Sequence, residues 1–123
     1  MENSERTMCR ITPQQEAEVR IRAKQYLPAE LQRLARLHGF HYSRVKIRKS
    51  KTRWGSCSSK GIINLSFYLM LLPLHLIEYV LLHELCHTVE MNHSAAFWSL
   101  LDRHTQRPAK DLRKELRNYY IPR

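Results

Sequence analysis

An α+β fold is predicted for this 123-residue chain from three changes of hydrophobic period. Apolar residues recur at helical spacing from Val19 to Leu37. The period falls to two between Tyr42 and Arg48, and a Gly- and Ser-rich turn follows at 58–61. Helical spacing then returns from Pro73 onward, around the sequence His83-Glu84-Leu85-Cys86-His87. Segregated helical and strand segments of this kind build an α+β domain.

Residues 1–11 carry no periodicity and read as a loose lead-in to a single domain spanning 1–123. Thr12-Pro13-Gln14-Gln15 reads as a helix start, with Thr as N-cap, Pro at the first helical position and Gln at the capping-box position. Val19, Ala23, Tyr26 and Leu27 give this helix its apolar stripe, and Pro28 is expected to break or kink it. Leu31, Leu34, Ala35 and Leu37 resume the pattern until Gly39, a helix-ending residue.

Between Tyr42 and Arg48, Val45 and Ile47 face one way while Arg44, Lys46 and Arg48 face the other, the signature of a half-buried strand. The stretches Lys49–Cys57 and Ile62–Leu65 read as a hairpin turning at Ser59–Gly61. Gly55 inside a strand implies a bulge or the close approach of another backbone. Ser66–Leu71 is expected as a short helix, and Pro73 opens a helix running to about Met91. Ser94 caps a further helix to about His104, and a last amphipathic helix covers Pro108–Tyr120 with Leu112 and Leu116 inward.

Composition narrows the setting. The chain has 21 Lys plus Arg against 11 Asp plus Glu, a net charge of +10, which favours acidic partners and makes nucleic acid a candidate. No nucleic-acid-binding motif accompanies the charge. No apolar run reaches about 18 residues, so no membrane-spanning helix is expected. Cys9, Cys57 and Cys86 are odd in number and form no Cys-x-x-Cys pair, so they read as reduced thiols of a cytoplasmic protein, expected as a monomer.

Residues four apart on a helix lie within about 40° of each other, so His83 and His87 project from one face. Both can ligate one metal ion, and Glu84 then stands beside it. The upstream run Leu76–Leu82 is apolar almost all round, so the helix is buried. Buried imidazoles and a carboxylate are costly unless paired or bound to metal. Zinc on two helical histidines, with glutamate as general base, is the hydrolase chemistry this spacing implies.

His93 is the expected third ligand, brought back by a turn at Met91-Asn92. Its spacing equals that of the metzincins, although Glu90 stands at their glycine position. Glu90, Asp102 and Glu115 are rivals for the third place. Cys57 and Tyr79 fall within possible reach, with burial in the core their simpler role. His38, His41, His75 and His104 show no ligand spacing.

Three stretches together resemble the YgjP-like family of small zinc-dependent metallopeptidase-type hydrolases. They are Arg53-Trp54-Gly55-Ser56-Cys57-Ser58, Gly61-Ile62-Ile63-Asn64-Leu65, and Tyr79 through His87; Asn92-His93-Ser94 with Phe97-Trp98 completes the set. The match keeps order and spacing from about residue 42 to 101. The resemblance implies a zincin-like fold: a small antiparallel sheet packed on helices, with the His-Glu-x-x-His helix beneath it. It implies one zinc per chain on His83, His87 and His93, and Glu84 as base. It implies a peptide or protein substrate laid along Trp54, Gly55, Ser56 and Cys57. The alternatives are a basic nucleic-acid-associated protein with a structural zinc, its fourth position filled by Cys57 or Glu90, or a protease acting on DNA-bound proteins, as in the SprT-like zincins to which the chain is distantly similar.

Overall fold

The computed structural model describes residues 11–122; the lead-in expected over 1–11 lies almost wholly outside them. Helix α1 spans Pro13–His38. Its capping box is complete: the Gln15 amide donates to Thr12 Oγ1 at 3.0 Å, and the Thr12 amide donates to Gln15 Oε1 at 2.8 Å. Gly39 ends the helix at φ 79°, a left-handed conformation that glycine adopts without a Cβ penalty.

The break expected at Pro28 does not occur, and α1 is continuous through it. Pro costs a helix interior about 3 kcal/mol through one lost hydrogen bond and a ring clash. Burial of a large aliphatic side chain returns about 1.5–3 kcal/mol. Val19, Ala23, Leu27, Leu31, Leu34 and Ala35 are all buried on one face, so packing on both sides of the proline outweighs it.

Strands β1 (Arg44–Arg48), β2 (Gly55–Cys57) and β3 (Ile62–Ser66) form one sheet in the order β1-β3-β2. The expected hairpin is present, with β2 antiparallel to β3 and Cys57 opposite Ile63. Gly61 takes φ 78° in its turn, and the Ser58 amide donates to the Ile62 carbonyl. The sheet is not antiparallel throughout, as expected, but mixed: β1 pairs with β3 in parallel, Val45 opposite Ile63. The connection 49–54 causes this, because it passes the end of β3 rather than folding straight back. Ser66 holds both ends of that connection: its hydroxyl donates to the Ser50 carbonyl and its amide to the Trp54 carbonyl.

A 3-10 turn at Phe67–Leu71, capped by Ser66, leads to Pro73 and helix α2 (Leu74–Cys86). Leu76, Ile77, Val80, Leu81 and Leu85 pack beneath the sheet and against α1. The helix stops at Cys86 rather than near Met91. Beyond it the backbone runs on only as a turn, with the Thr88 amide on the Leu85 carbonyl and the Val89 and Glu90 amides on that of Cys86, while the Thr88 hydroxyl also donates to the Leu85 carbonyl and the His87 ring to that of Glu90. Helices α3 (Ala95–Asp102, capped by Ser94) and α4 (Ala109–Leu116) complete the fold, each shorter than its periodicity predicted. Asp102 joins them by accepting the Ala109 amide at 2.7 Å. Among the described residues no helix is long and apolar enough to cross a membrane.

Candidate metal centre and cleft

The last turn of α2 carries His83, Glu84 and His87, and the 87–94 turn brings His93 back onto them just before Ser94 starts α3. The three Nε2 atoms converge: His83 to His87 is 3.2 Å, His83 to His93 is 3.2 Å and His87 to His93 is 3.1 Å. Phe97, fully buried on the first turn of α3, stacks under His87 at 4.4 Å between centroids and meets His83 and His93 edge-on. This aromatic floor fixes all three rings.

His87 Nδ1 lies 2.9 Å from the Glu90 carbonyl, which can only accept, so Nδ1 carries the proton and Nε2 presents a lone pair to the centre. Burial, with the neighbouring imidazoles and Arg113, pushes His83 down to about 3. His87 is lowered for the same first reason, although its bond to Glu90 opposes the shift. His83 and His87 are therefore held as neutral donors. Three ring nitrogens at one point are a group that could hold a metal ion.

Glu84 stands on the sheet side of this cluster and is buried. Its Oε1 has no hydrogen-bond partner among the described residues. Burial pushes its carboxyl up to about 8, against the pull of Arg53. A lone buried carboxyl oxygen costs about 1–3 kcal/mol, so the site stores a polar group with unfilled capacity.

The close approach of a backbone expected at Gly55 is present, and a side chain approaches as well. A Cβ at Gly55 would meet the Asn64 carbonyl at 3.3 Å, Glu84 Cγ at 3.1 Å and Glu84 Oε2 at 3.2 Å. Strand β2 and helix α2 thus meet more tightly than a Cβ accepts without a shift of its neighbours.

A cleft of about 330 Å³ opens over these groups, lined by Arg53, Gly55, Ser56 and Cys57 on one side and by His83, Glu84, His87, Met91 and His93 on the other. Of the four residues expected along the substrate, Gly55, Ser56 and Cys57 line it. Trp54, which lies just before β2, does not, and is half-buried against the core instead. Arg53 and Met91 line the cleft without having been singled out. Both placings depend on the path of connections, Arg53 on how the segment 49–54 enters β2 and Met91 on where α2 stops.

The rivals for third ligand are otherwise placed. Glu90 contributes its backbone carbonyl, Asp102 accepts the Ala109 amide, and Glu115 pairs with His75 and Arg107. Cys57 lies outside the histidine group, and burial with Glu84 nearby pushes its thiol up to about 11. Cys86 is fully buried, and Tyr79 packs in the core with its ring 5.8 Å from that of His83. His38 and His104 pair with each other, their Nδ1 atoms 2.9 Å apart.

This fold is that of the zincin-like metallopeptidases. The chain is similar to the crystal structure of the metallopeptidase zymogen of Pyrococcus abyssi abylysin, with a TM-score of 0.60 and 25% identity over 74% of this chain and 95% of that one. It shares its fold with the metallopeptidase zymogen of Methanocaldococcus jannaschii jannalysin, with a TM-score of 0.58 and 20% identity over 70% of this chain and 88% of that one. No curated protein matches the chain. A family model described as YgjP-like, metallopeptidase domain, matches residues 10–119, and the chain belongs to that family. It is a metallopeptidase-type hydrolase whose family implies a divalent metal and a protein or peptide substrate.

Proposed function

We propose that His83, His87 and His93 hold one zinc ion per chain and that Glu84 is the general base of peptide-bond hydrolysis in the cleft above them. The observation that carries this reading is the convergence of three Nε2 lone pairs at 3.1–3.2 Å beside a buried, unpartnered carboxyl oxygen. Tetrahedral zinc with bonds of about 2.0–2.1 Å sets its ligand nitrogens roughly 3.3–3.4 Å apart, so the donor set fits that ion with little adjustment. Neither Cys57 nor Glu90 joins the group, which favours an open catalytic position over a closed structural site.

Zinc at this position would supply Lewis acidity toward a carbonyl and acidify water. Glu84 would then favour its charged form, since a nearby cation opposes the effect of burial. From the cleft floor it accepts a proton from the attacking water and returns it to the leaving amine. His87, anchored by the Glu90 carbonyl, keeps its Nε2 aimed inward through the cycle. Gly55 leaves space for the Glu84 carboxyl, and β2 is an edge strand among the described residues, so its outer side would take an extended peptide over Gly55, Ser56 and Cys57. Trp54 would serve this strip from behind, by packing.

The test is metal content and peptide hydrolysis in wild type and Glu84→Gln. Both proteins should carry about one zinc per chain, while hydrolysis falls by about 10²–10⁴-fold in the variant, the usual contribution of a general base. Undiminished hydrolysis by Glu84→Gln would overturn the assignment.

A further inference from the structure

The substrate can be narrowed by the charges around the cleft, an inference that rests on the hydrolase reading above. We propose that the cleft selects peptides with acidic side chains beside the scissile bond, bound by Lys110 and Arg113 at one end and by Arg53 at the other.

The first end is built on Trp98. Its ring lies 6.0 Å from that of His93 and 6.2 Å from that of His83, so it borders the metal centre directly. Lys110 Nζ stands 5.7 Å, and Arg113 Cζ 5.6 Å, from its centroid. The two cations are three residues apart on α4, hence on one face, and the half-buried indole holds both beside the centre by cation–π attraction, with Arg113 near enough to act on His83. Both side chains are exposed and neither has an ion-pair partner among the described residues.

The second end is Arg53, which lines the cleft with Glu84 and the three histidines. Its backbone is pinned where β2 begins: its amide donates to the Ser50 hydroxyl, and the next carbonyl accepts from Ser66. Its guanidinium makes no hydrogen bond or ion pair among the described residues.

Carboxylates that would neutralise these cations are engaged or turned elsewhere. Asp102 caps Ala109, and Glu115 is held by His75 and Arg107. Asp111 lines a separate surface hollow with Lys114 and Asn118. Glu84 on the cleft floor and Glu90 on the turn beside the centre are the acidic side chains near it. Three cations outnumber these two carboxylates, and a cleft with that excess concentrates anionic ligands. Nucleic acid would answer the same charge, but the cations flank a centre whose three histidines and carboxyl suit amide hydrolysis, and the aromatic beside them, Trp98, is already occupied by Lys110 and Arg113. An acidic peptide fits both facts.

The test is equilibrium binding of labelled peptides to the zinc-loaded Glu84→Gln protein at about 150 mM salt, in matched series carrying Glu, Gln or Lys on each side of the central bond. Glu peptides should bind about tenfold tighter than Gln peptides, the scale of one charge-assisted contact. K110Q/R113Q should remove most of the preference on one side of the bond, and R53Q most of it on the other. A charge-matched control on α1, R22Q/K24Q, should keep it. Equal binding of Glu and Gln peptides, or equal loss in the control, would overturn the proposal. So would an oligonucleotide of similar length that displaces the Glu peptide at lower concentration. A retained preference with no cleavage by the wild type would support the acidic site and overturn the hydrolase reading alone.

Discussion

Two histidine clusters in this molecule have nearly the same spacing and opposite characters. His38 and His104 approach to 2.9 Å between α1 and the end of α3, with Phe40 against the His104 ring at 4.9 Å. His83, His87 and His93 approach to 3.1–3.2 Å at the end of α2. One proton satisfies the pair, since one imidazole donates and the other accepts. No arrangement of protons on neutral rings satisfies the triad, because among three mutually close nitrogens two must be alike, lone pair facing lone pair or N–H facing N–H. A cation satisfies all three. The pair has no carboxyl beside it, whereas the triad has Glu84 with an unpartnered oxygen. Proximity of histidines is thus poor evidence for metal; unsatisfied geometry is good evidence.

The largest expected effect breaks the triad and spares the pair. His93→Ala should weaken zinc binding by about 100-fold or more, because even outer partners of a ligand are worth 10–100-fold. His104→Ala should leave zinc affinity within about twofold. A chelator-competition titration of the two variants measures both. Equal affinities would mean that the turn at 87–94 does not deliver a ligand.

The contrast between clusters also marks what the sequence can reveal. The triad was legible because its members are close in sequence: the i, i+4 pair follows from helix pitch, and Met91-Asn92 supplied a place to turn. The capping box at Thr12, the Gly39 stop and the Gly61 hairpin were legible for the same reason, each being a local backbone signal. The His38–His104 pair was not, since its members are 66 residues apart and meet through packing alone. Pro28 misled because the apolar positions around it outweigh a lost hydrogen bond. The parallel β1–β3 pairing and the placing of Arg53 and Met91 in the cleft likewise depend on where connections run in space. Trp54 shows the finer limit: the hairpin was legible, but its first arm begins only at Gly55, which leaves Trp54 outside the strand and against the core.

A smaller effect probes the wall between strand and triad. Gly55→Ala places a Cβ 3.1 Å from Glu84 Cγ and 3.3 Å from the Asn64 carbonyl. Overpacking of this kind costs about 1–3 kcal/mol, and the yielding group is the Glu84 side chain. Thermal unfolding should shift down accordingly, and hydrolysis should fall further than zinc content does. Zinc lost in parallel with activity would mean that the strand supports the ligands rather than the carboxyl.

The smallest effect is a pH slope that separates the clusters again. Burial holds His104 below the ordinary histidine value, with His38 and Arg103 adding to the shift. A group with a lowered folded pKa contributes its full stability above the unfolded value of about 6.5, and that contribution is lost as pH falls below it. The triad shifts the same way, through His83 and His87, but bound zinc should suppress its proton uptake. In zinc-loaded protein the decline in unfolding free energy between pH 7 and pH 5.5 should therefore contain a part belonging to His104. His104→Phe keeps an aromatic ring against Phe40 and should flatten that part; chelation should restore a steeper slope in both proteins. Urea titrations at the two pH values decide it. An unchanged slope in the zinc-loaded variant would show that the pair, close as it is, takes up its protons without cost to the fold.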